Sequence, residues 1–117
     1  MPLIQLETSC NVSDPQKKQA LAEMLSALAA AGIGKPQQYV MASVHDNVAM
    51  SMSGTSDPCA LVTVKSIGGL SRAVNQTLTA QVAQSLQAEL GIEPNRVYVT
   101  FLELAPTHWG WNGSTFG

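Results

Sequence analysis

Two stretches of this chain can be laid on each other, and that internal match constrains the fold more than any other feature of the sequence. Gly32-Ile33 and Gly91-Ile92 stand 59 positions apart, Tyr39-Val40 and Tyr98-Val99 also 59, and Pro36 and Pro94 58. The offset is about half of the 117 residues, so one domain, 1–117, reads as two copies of one unit, at about 1–58 and 59–117. In the first copy, Leu3 to Glu7 alternates as a short strand. Ser13-Asp14-Pro15 then opens a helix to about Ala31, with Pro15 at its first position and Gly32 as its stop. Leu21, Met24, Leu25 and Leu28 give that helix one apolar face. Tyr39 to Val44 follows as a strand, with Val48 to Met52 as a short partner before a loop through Pro58.

The second copy repeats the plan. Cys59 to Ile67 is a long strand broken by Gly68-Gly69, and Ser71 caps a helix in which Val74, Leu78, Val82, Leu86 and Leu90 recur every four residues. Gly91 ends the helix and Val97 to Leu104 is the last long strand. The tail, rich in Gly, Trp and Asn, gives no periodic signal. Each strand-helix-strand unit implies a right-handed crossover and a parallel strand pair. The expected fold is therefore α/β (α+β): two β-α-β pseudo-repeats forming a four-stranded mixed sheet with two helices on one face.

That plan leaves a packing problem. Cys59 to Val62 and Val97 to Leu102 are nearly continuous apolar runs, as in strands buried on both faces. Two helices cover one face only. The other is covered either by another subunit in a closed cyclic assembly or by the C-terminal tail folding back.

Composition narrows the function classes. The chain is 45% hydrophobic and 12% charged, with six Lys and Arg and a net charge of -2. No basic cluster suggests nucleic acid as a partner. No apolar run is long enough for membrane insertion, and no signal-type core follows a basic start, so a cytoplasmic protein is expected. Cys10 and Cys59 cannot build a disulfide framework, and no ligand cluster has metal spacing. Three matches to the glycosylation acceptor pattern, at Asn11, Asn75 and Asn112, have meaning only in a secreted chain.

The start of the chain carries the candidate chemistry. Removal of Met1 would leave Pro2 as a free secondary amine heading the first strand. A terminal amine has a pKa near 8, so roughly a tenth is free base at neutral pH. Burial or an adjacent cation raises that fraction. The gain is at most about tenfold, whereas positioned proton transfer contributes about 10² to 10⁴. Geometry therefore matters more than basicity.

Met1-Pro2, Gly34-Lys35-Pro36-Gln37-Gln38-Tyr39, Pro58-Cys59-Ala60-Leu61, Ser66-Ile67-Gly68, Pro94-Asn95-Arg96-Val97-Tyr98 and Gly110-Trp111-Asn112-Gly113-Ser114-Thr115-Phe116 together resemble the macrophage migration inhibitory factor and D-dopachrome tautomerase family, from end to end. The resemblance implies a homotrimeric tautomerase-like barrel whose three sheets enclose a channel, with pockets at the subunit interfaces. It implies keto-enol tautomerisation of phenylpyruvate- or dopachrome-type substrates, small enolisable 2-oxo acids or aromatic compounds, without cofactor or metal. Pro2 would be the catalytic base and acid. Lys35 would anchor the substrate carboxylate, and the backbone N–H of Ile67, with Ser66 before it, would reach the substrate. Tyr98 would come from the neighbouring subunit, Trp111 and Phe116 would form the aromatic rim, and Tyr39 the entrance.

Departures from the family pattern bear on specificity. Thr100 stands where relatives often carry asparagine, Phe101-Leu102 replaces two tyrosines, and Trp109 replaces a small aliphatic residue at the rim, which narrows the pocket. Lys65 replaces a histidine; His45 and His108 match no catalytic position and read as surface residues. The dithiol activity proposed for the family should be absent, because Cys59-Ala60-Leu61-Val62 lacks the resolving thiol. A second function class stands beside the enzyme: a trimeric cytokine-like binding or signalling protein with a vestigial pocket. The resemblance leaves leaderless secretion open.

Overall fold

The computed structural model describes residues 1–117. Strand β1 (Pro2–Thr8) leads to helix α1 (Pro15–Ile33) and strand β2 (Met41–His45); strand β3 (Ala60–Ser66) leads to helix α2 (Arg72–Leu90) and strand β4 (Val97–Glu103). The sheet order is β2-β1-β3-β4. Strands β1 and β2 run parallel, as do β3 and β4, while β1 and β3 pair antiparallel across the centre. The two-copy plan thus gives one mixed sheet.

Helix boundaries follow from local chemistry. The Asp14 carboxylate accepts the Gln16 N–H at 2.9 Å with Pro15 in the first turn, and the Ser71 hydroxyl accepts the Val74 N–H at 3.2 Å. Gly91 closes α2 with φ of 68°. Helix α1 runs past the expected stop at Gly32 to Ile33, and Gly34 (φ 78°) is its cap. Gly32 instead lets the helices approach: a Cβ there would lie 3.4 Å from Leu78 Cδ1.

Leu21, Leu25, Ala29 and Ile33 of α1 and Leu78, Val82 and Leu86 of α2 pack on Ile4, Leu6, Val62 and Val64 in one core. Met24 and Leu28, expected on the apolar face, are only half-buried beside it. Each large side chain removed from water contributes roughly 1.5–3 kcal/mol.

Two expectations shift. Gln37–Tyr39 is a 3-10 turn, so β2 starts at Met41 rather than at Tyr39. Val48 to Met52 forms no strand; only an isolated bridge joins Met52 and Thr55. The N–H groups of Asn47 and Val48 bond to the carbonyls of Cys10 and Thr8, so this stretch is tied to the end of β1 and not to a hairpin partner. Asp46 secures the same corner, accepting from Lys18 at 2.7 Å and from the Val12 N–H at 2.8 Å.

The sheet face away from the helices is uncovered. Three rows cross it: His45, Glu7, Leu61 and Tyr98; then Ser43, Gln5, Thr63 and Thr100; then Met41, Leu3, Lys65 and Leu102. Tyr98 is 65% exposed, Met41 68% and Leu102 51%. The C-terminal tail does not fold back over this face. It forms a hairpin of β5 (Gly110–Trp111) and β6 (Ser114–Thr115) around Asn112-Gly113, both at positive φ. Asn-Gly is the strongest short hairpin signal, and it was legible in the sequence.

Candidate active site

Pro2 opens β1 directly opposite Ser66, the last residue of β3. The end of β3 is held firmly. The Ser66 hydroxyl is fully buried and donates to the Gly68 carbonyl at 2.7 Å, while the Ser66 carbonyl accepts from the Leu104 N–H at 2.9 Å. Gly68 and Gly69 then turn the chain at φ of 71° and 80°. A Cβ on Gly69 would come within 2.6 Å of Ile33 Cγ2 and 3.4 Å of Lys35 Cε, so only glycine lets this turn lie against the Lys35 stem. Lys35 is held from its other side, its N–H bonded to the Ala30 carbonyl at 3.0 Å in the α1 cap.

These restraints meet at the N-terminus. The Ile67 N–H donates to the Met1 carbonyl at 3.4 Å. Burial first, and the Lys35 ammonium second, hold the Met1 amine below the ordinary range of a terminal amine. The Met1 amine is thus partly buried and within the field of Lys35.

A cleft of about 470 Å³ opens beside Met1 and Pro2, walled by Tyr39, Met41, Trp109 and Trp111. Tyr39 arrives through the 3-10 turn after Pro36. Trp109 arrives through a second 3-10 turn, Pro106–His108, and is tied to the hairpin by the Phe116 N–H to its carbonyl at 3.1 Å. Trp111 stacks on Phe116, with ring centroids 6.1 Å apart and planes within 7°.

The chain therefore gathers Pro2, Tyr39, Trp109 and Trp111 on the cleft, with Phe116 stacked on Trp111; Lys35 and the Ile67 N–H reach the chain start without lining the cleft, and Ile67 lines a separate pocket with Glu103 and Leu104. Tyr98 and Thr100 lie elsewhere. Tyr98 registers with Leu61, five residues before Ser66 on β3, or about 17 Å along the strand. Thr100 registers with Thr63, about 10 Å from the same point. Ser66 offers its hydroxyl to the turn and not to the cleft. Sequence reasoning missed Met41 and Gln38 as wall residues. Met41 was accessible in principle, since Leu3 beside it belongs to the parallel partner strand.

No group of three or more His, Cys, Asp and Glu side chains gathers anywhere in the fold, and no helix is long and apolar enough to cross a membrane. Cys10 and Cys59 are both free.

Paired β-α-β units on one mixed sheet, with the chain start set into an aromatic cleft at the end of the central strands, define a protein of the tautomerase superfamily fold. The model of the family described as macrophage migration inhibitory factor matches residues 1–117. The protein of that name from Meriones unguiculatus is 36% identical over 116 residues, 99% of each chain. That from Rattus norvegicus is 42% identical over 96 residues, 82% of this chain and 83% of its own. The crystal structure of the homologue from Prochlorococcus marinus superposes with a TM-score of 0.90 at 38% identity, covering 98% of this chain and 99% of that one. The chain belongs to the macrophage migration inhibitory factor family.

Proposed function

We propose that this protein is a cofactor-independent keto-enol tautomerase of phenylpyruvate- or dopachrome-type substrates, assembled as a homotrimer and acting through the Pro2 nitrogen after Met1 is removed. One observation carries the reading: the chain start lines an aromatic cleft, with the Ile67 N–H on the Met1 carbonyl and the Lys35 cation acting with burial to lower the pKa of the Met1 amine.

In this reaction the 2-oxo acid lies with its carboxylate toward Lys35 and its keto oxygen toward the Ile67 N–H, the donor that Met1 occupies in the unprocessed chain. Pro2 nitrogen takes a proton from C3. The C–H electron pair becomes the C2=C3 bond, and the carbonyl π pair moves onto oxygen, where the backbone donor and the nearby cation stabilise it. The pyrrolidinium then returns the proton to oxygen. The product is the enol, an isomer, so no electrons are gained or lost.

The trimer is supported by the uncovered sheet face and by Tyr98, which is exposed and too far along the sheet to reach Pro2 within one chain. A neighbouring copy would bring Tyr98 to the cleft wall, and Thr100 with it. Domain extent follows the same reading, one domain over 1–117.

The test is Pro2→Gly in processed protein. Turnover of phenylpyruvate should be lost while sedimentation still reports a trimer; equal turnover by the two proteins sinks the proline mechanism. The second reading, a cytokine-like binding protein with weak turnover, is favoured by the relatives' name as a migration inhibitory factor. Under it, Pro2→Gly leaves partner binding unchanged.

A further inference from the structure

Met41 stands on β2, the outermost strand, in register with Leu3 of β1, and both line the cleft that holds Pro2. It is 68% exposed. The chain has five methionines. Met24, Met50 and Met52 are half-buried, as is Met1, which the proposed processing removes, so Met41 is the one thioether of the mature chain that stands mostly in water. Of the two thiols, Cys59 is 1% exposed and Cys10 is half-buried.

The wall around Met41 is made by Tyr39, Trp109 and Trp111, and no charged side chain lines it. A thioether suits such a wall, being apolar, polarisable and favourably packed on aromatic rings. Its sulfoxide does not. The same side chain then carries a strong S=O dipole, and the cleft side chains offer that oxygen only polar groups of Gln38 and Tyr39, besides the indole N–H groups.

We propose that Met41 is a site of reversible oxidation by hydrogen peroxide, and that its sulfoxide weakens binding of the substrate's aryl group in the Pro2 cleft. The effect on turnover rests on the tautomerase reading; the modification itself does not. A sulfur lone pair attacks one peroxide oxygen, the O–O bond breaks, and the departing hydroxide takes the proton of the transferred oxygen to leave as water. Sulfur loses two electrons and peroxide gains them. A methionine sulfoxide reductase returns the sulfoxide to the thioether. The Pro2 nitrogen takes no part, so proton transfer is untouched and the loss falls on KM.

Peroxide treatment of processed protein, followed by peptide mass analysis and kinetics, tests this. Met41 should gain one oxygen ahead of Met24, Met50 and Met52, with KM for phenylpyruvate raised about tenfold and kcat little changed. Methionine sulfoxide reductase should reverse both changes. Dithiothreitol, which reduces reversibly oxidised Cys10 but not a sulfoxide, should reverse neither. Met41→Leu, compared with itself before and after peroxide, should hold its KM. Oxidation that spares Met41, as an assembly covering it would cause, or that reaches the half-buried methionines equally, overturns the site. A KM that does not move when Met41 is oxidised, moves equally in Met41→Leu, or is restored by dithiothreitol overturns its role in binding. If untreated protein shows no turnover of phenylpyruvate, the tautomerase reading fails separately, and the peptide masses decide the modification alone.

Discussion

The backbone N–H of Ile67 points at the carbonyl oxygen of Met1, 3.4 Å away. While Met1 is retained, the Pro2 nitrogen is a peptide amide without basicity, the Ile67 donor is engaged by the Met1 carbonyl, and Met1 lines the cleft. Excision of one residue releases all three. Protein whose intact mass retains Met1 is therefore expected to be inactive, and treatment with a methionine aminopeptidase should switch turnover on. Equal turnover before and after excision would contradict the mechanism.

The same cleft sets the pH dependence. Burial and Lys35 lower the pKa of the Met1 amine, and the same two causes are expected to lower that of the Pro2 amine once Met1 is removed. The free base is the active form, so kcat/KM should rise with pH through a pKa below the ordinary terminal value. Lys35→Met removes a nearby cation. The rise should move to higher pH, and KM for a 2-oxo acid should increase about tenfold or more through loss of the carboxylate anchor. A pH–rate profile of both proteins checks the two effects separately.

Glycines 34 and 69 separate backbone cost from steric cost. Both have positive φ, 78° and 80°, but a Cβ on Gly34 meets nothing within 4 Å whereas one on Gly69 strikes Ile33. Gly34→Ala should cost about 1 kcal/mol and Gly69→Ala about 2–4 kcal/mol. Denaturant unfolding measures the difference. Only the second should also lower activity, by displacing the Lys35 stem.

Arg96 holds the loop before β3 by the carbonyls of three residues: Nε to Pro58 at 2.9 Å, one terminal nitrogen to Met52 at 3.2 Å, the other to Asp57 at 2.8 Å. Lysine cannot reproduce that fork. Arg96→Lys should lose about 1–2 kcal/mol. Amide exchange should accelerate across 52–58 and stay unchanged in α1.

Trp109 fills part of the cleft mouth. Trp109→Val should raise kcat/KM for a hydroxylated aryl 2-oxo acid over that for a small aliphatic one by about tenfold. An unchanged ratio would remove Trp109 from specificity.

The residues by themselves determined the elements and their pairing plan, because those depend on neighbours in the chain. Asp14, Pro15 and Ser71 start helices by capping nearby N–H groups, and the four-residue recurrence from Val74 to Leu90 can bury only one helical face. The resemblance added Lys35, Ile67 and Tyr98 as candidates, without distances. Tertiary structure decided the rest. Whether Tyr39 lies in strand or turn, whether Val48 to Met52 pairs with a strand or hangs from β1, and that the tail builds a cleft wall in place of covering the sheet all depend on contacts between residues far apart in the chain. So does the distance between Tyr98 and Pro2. It follows from a register across three strands, and hydrogen-bonded register is a property of the assembled sheet that no local pattern contains.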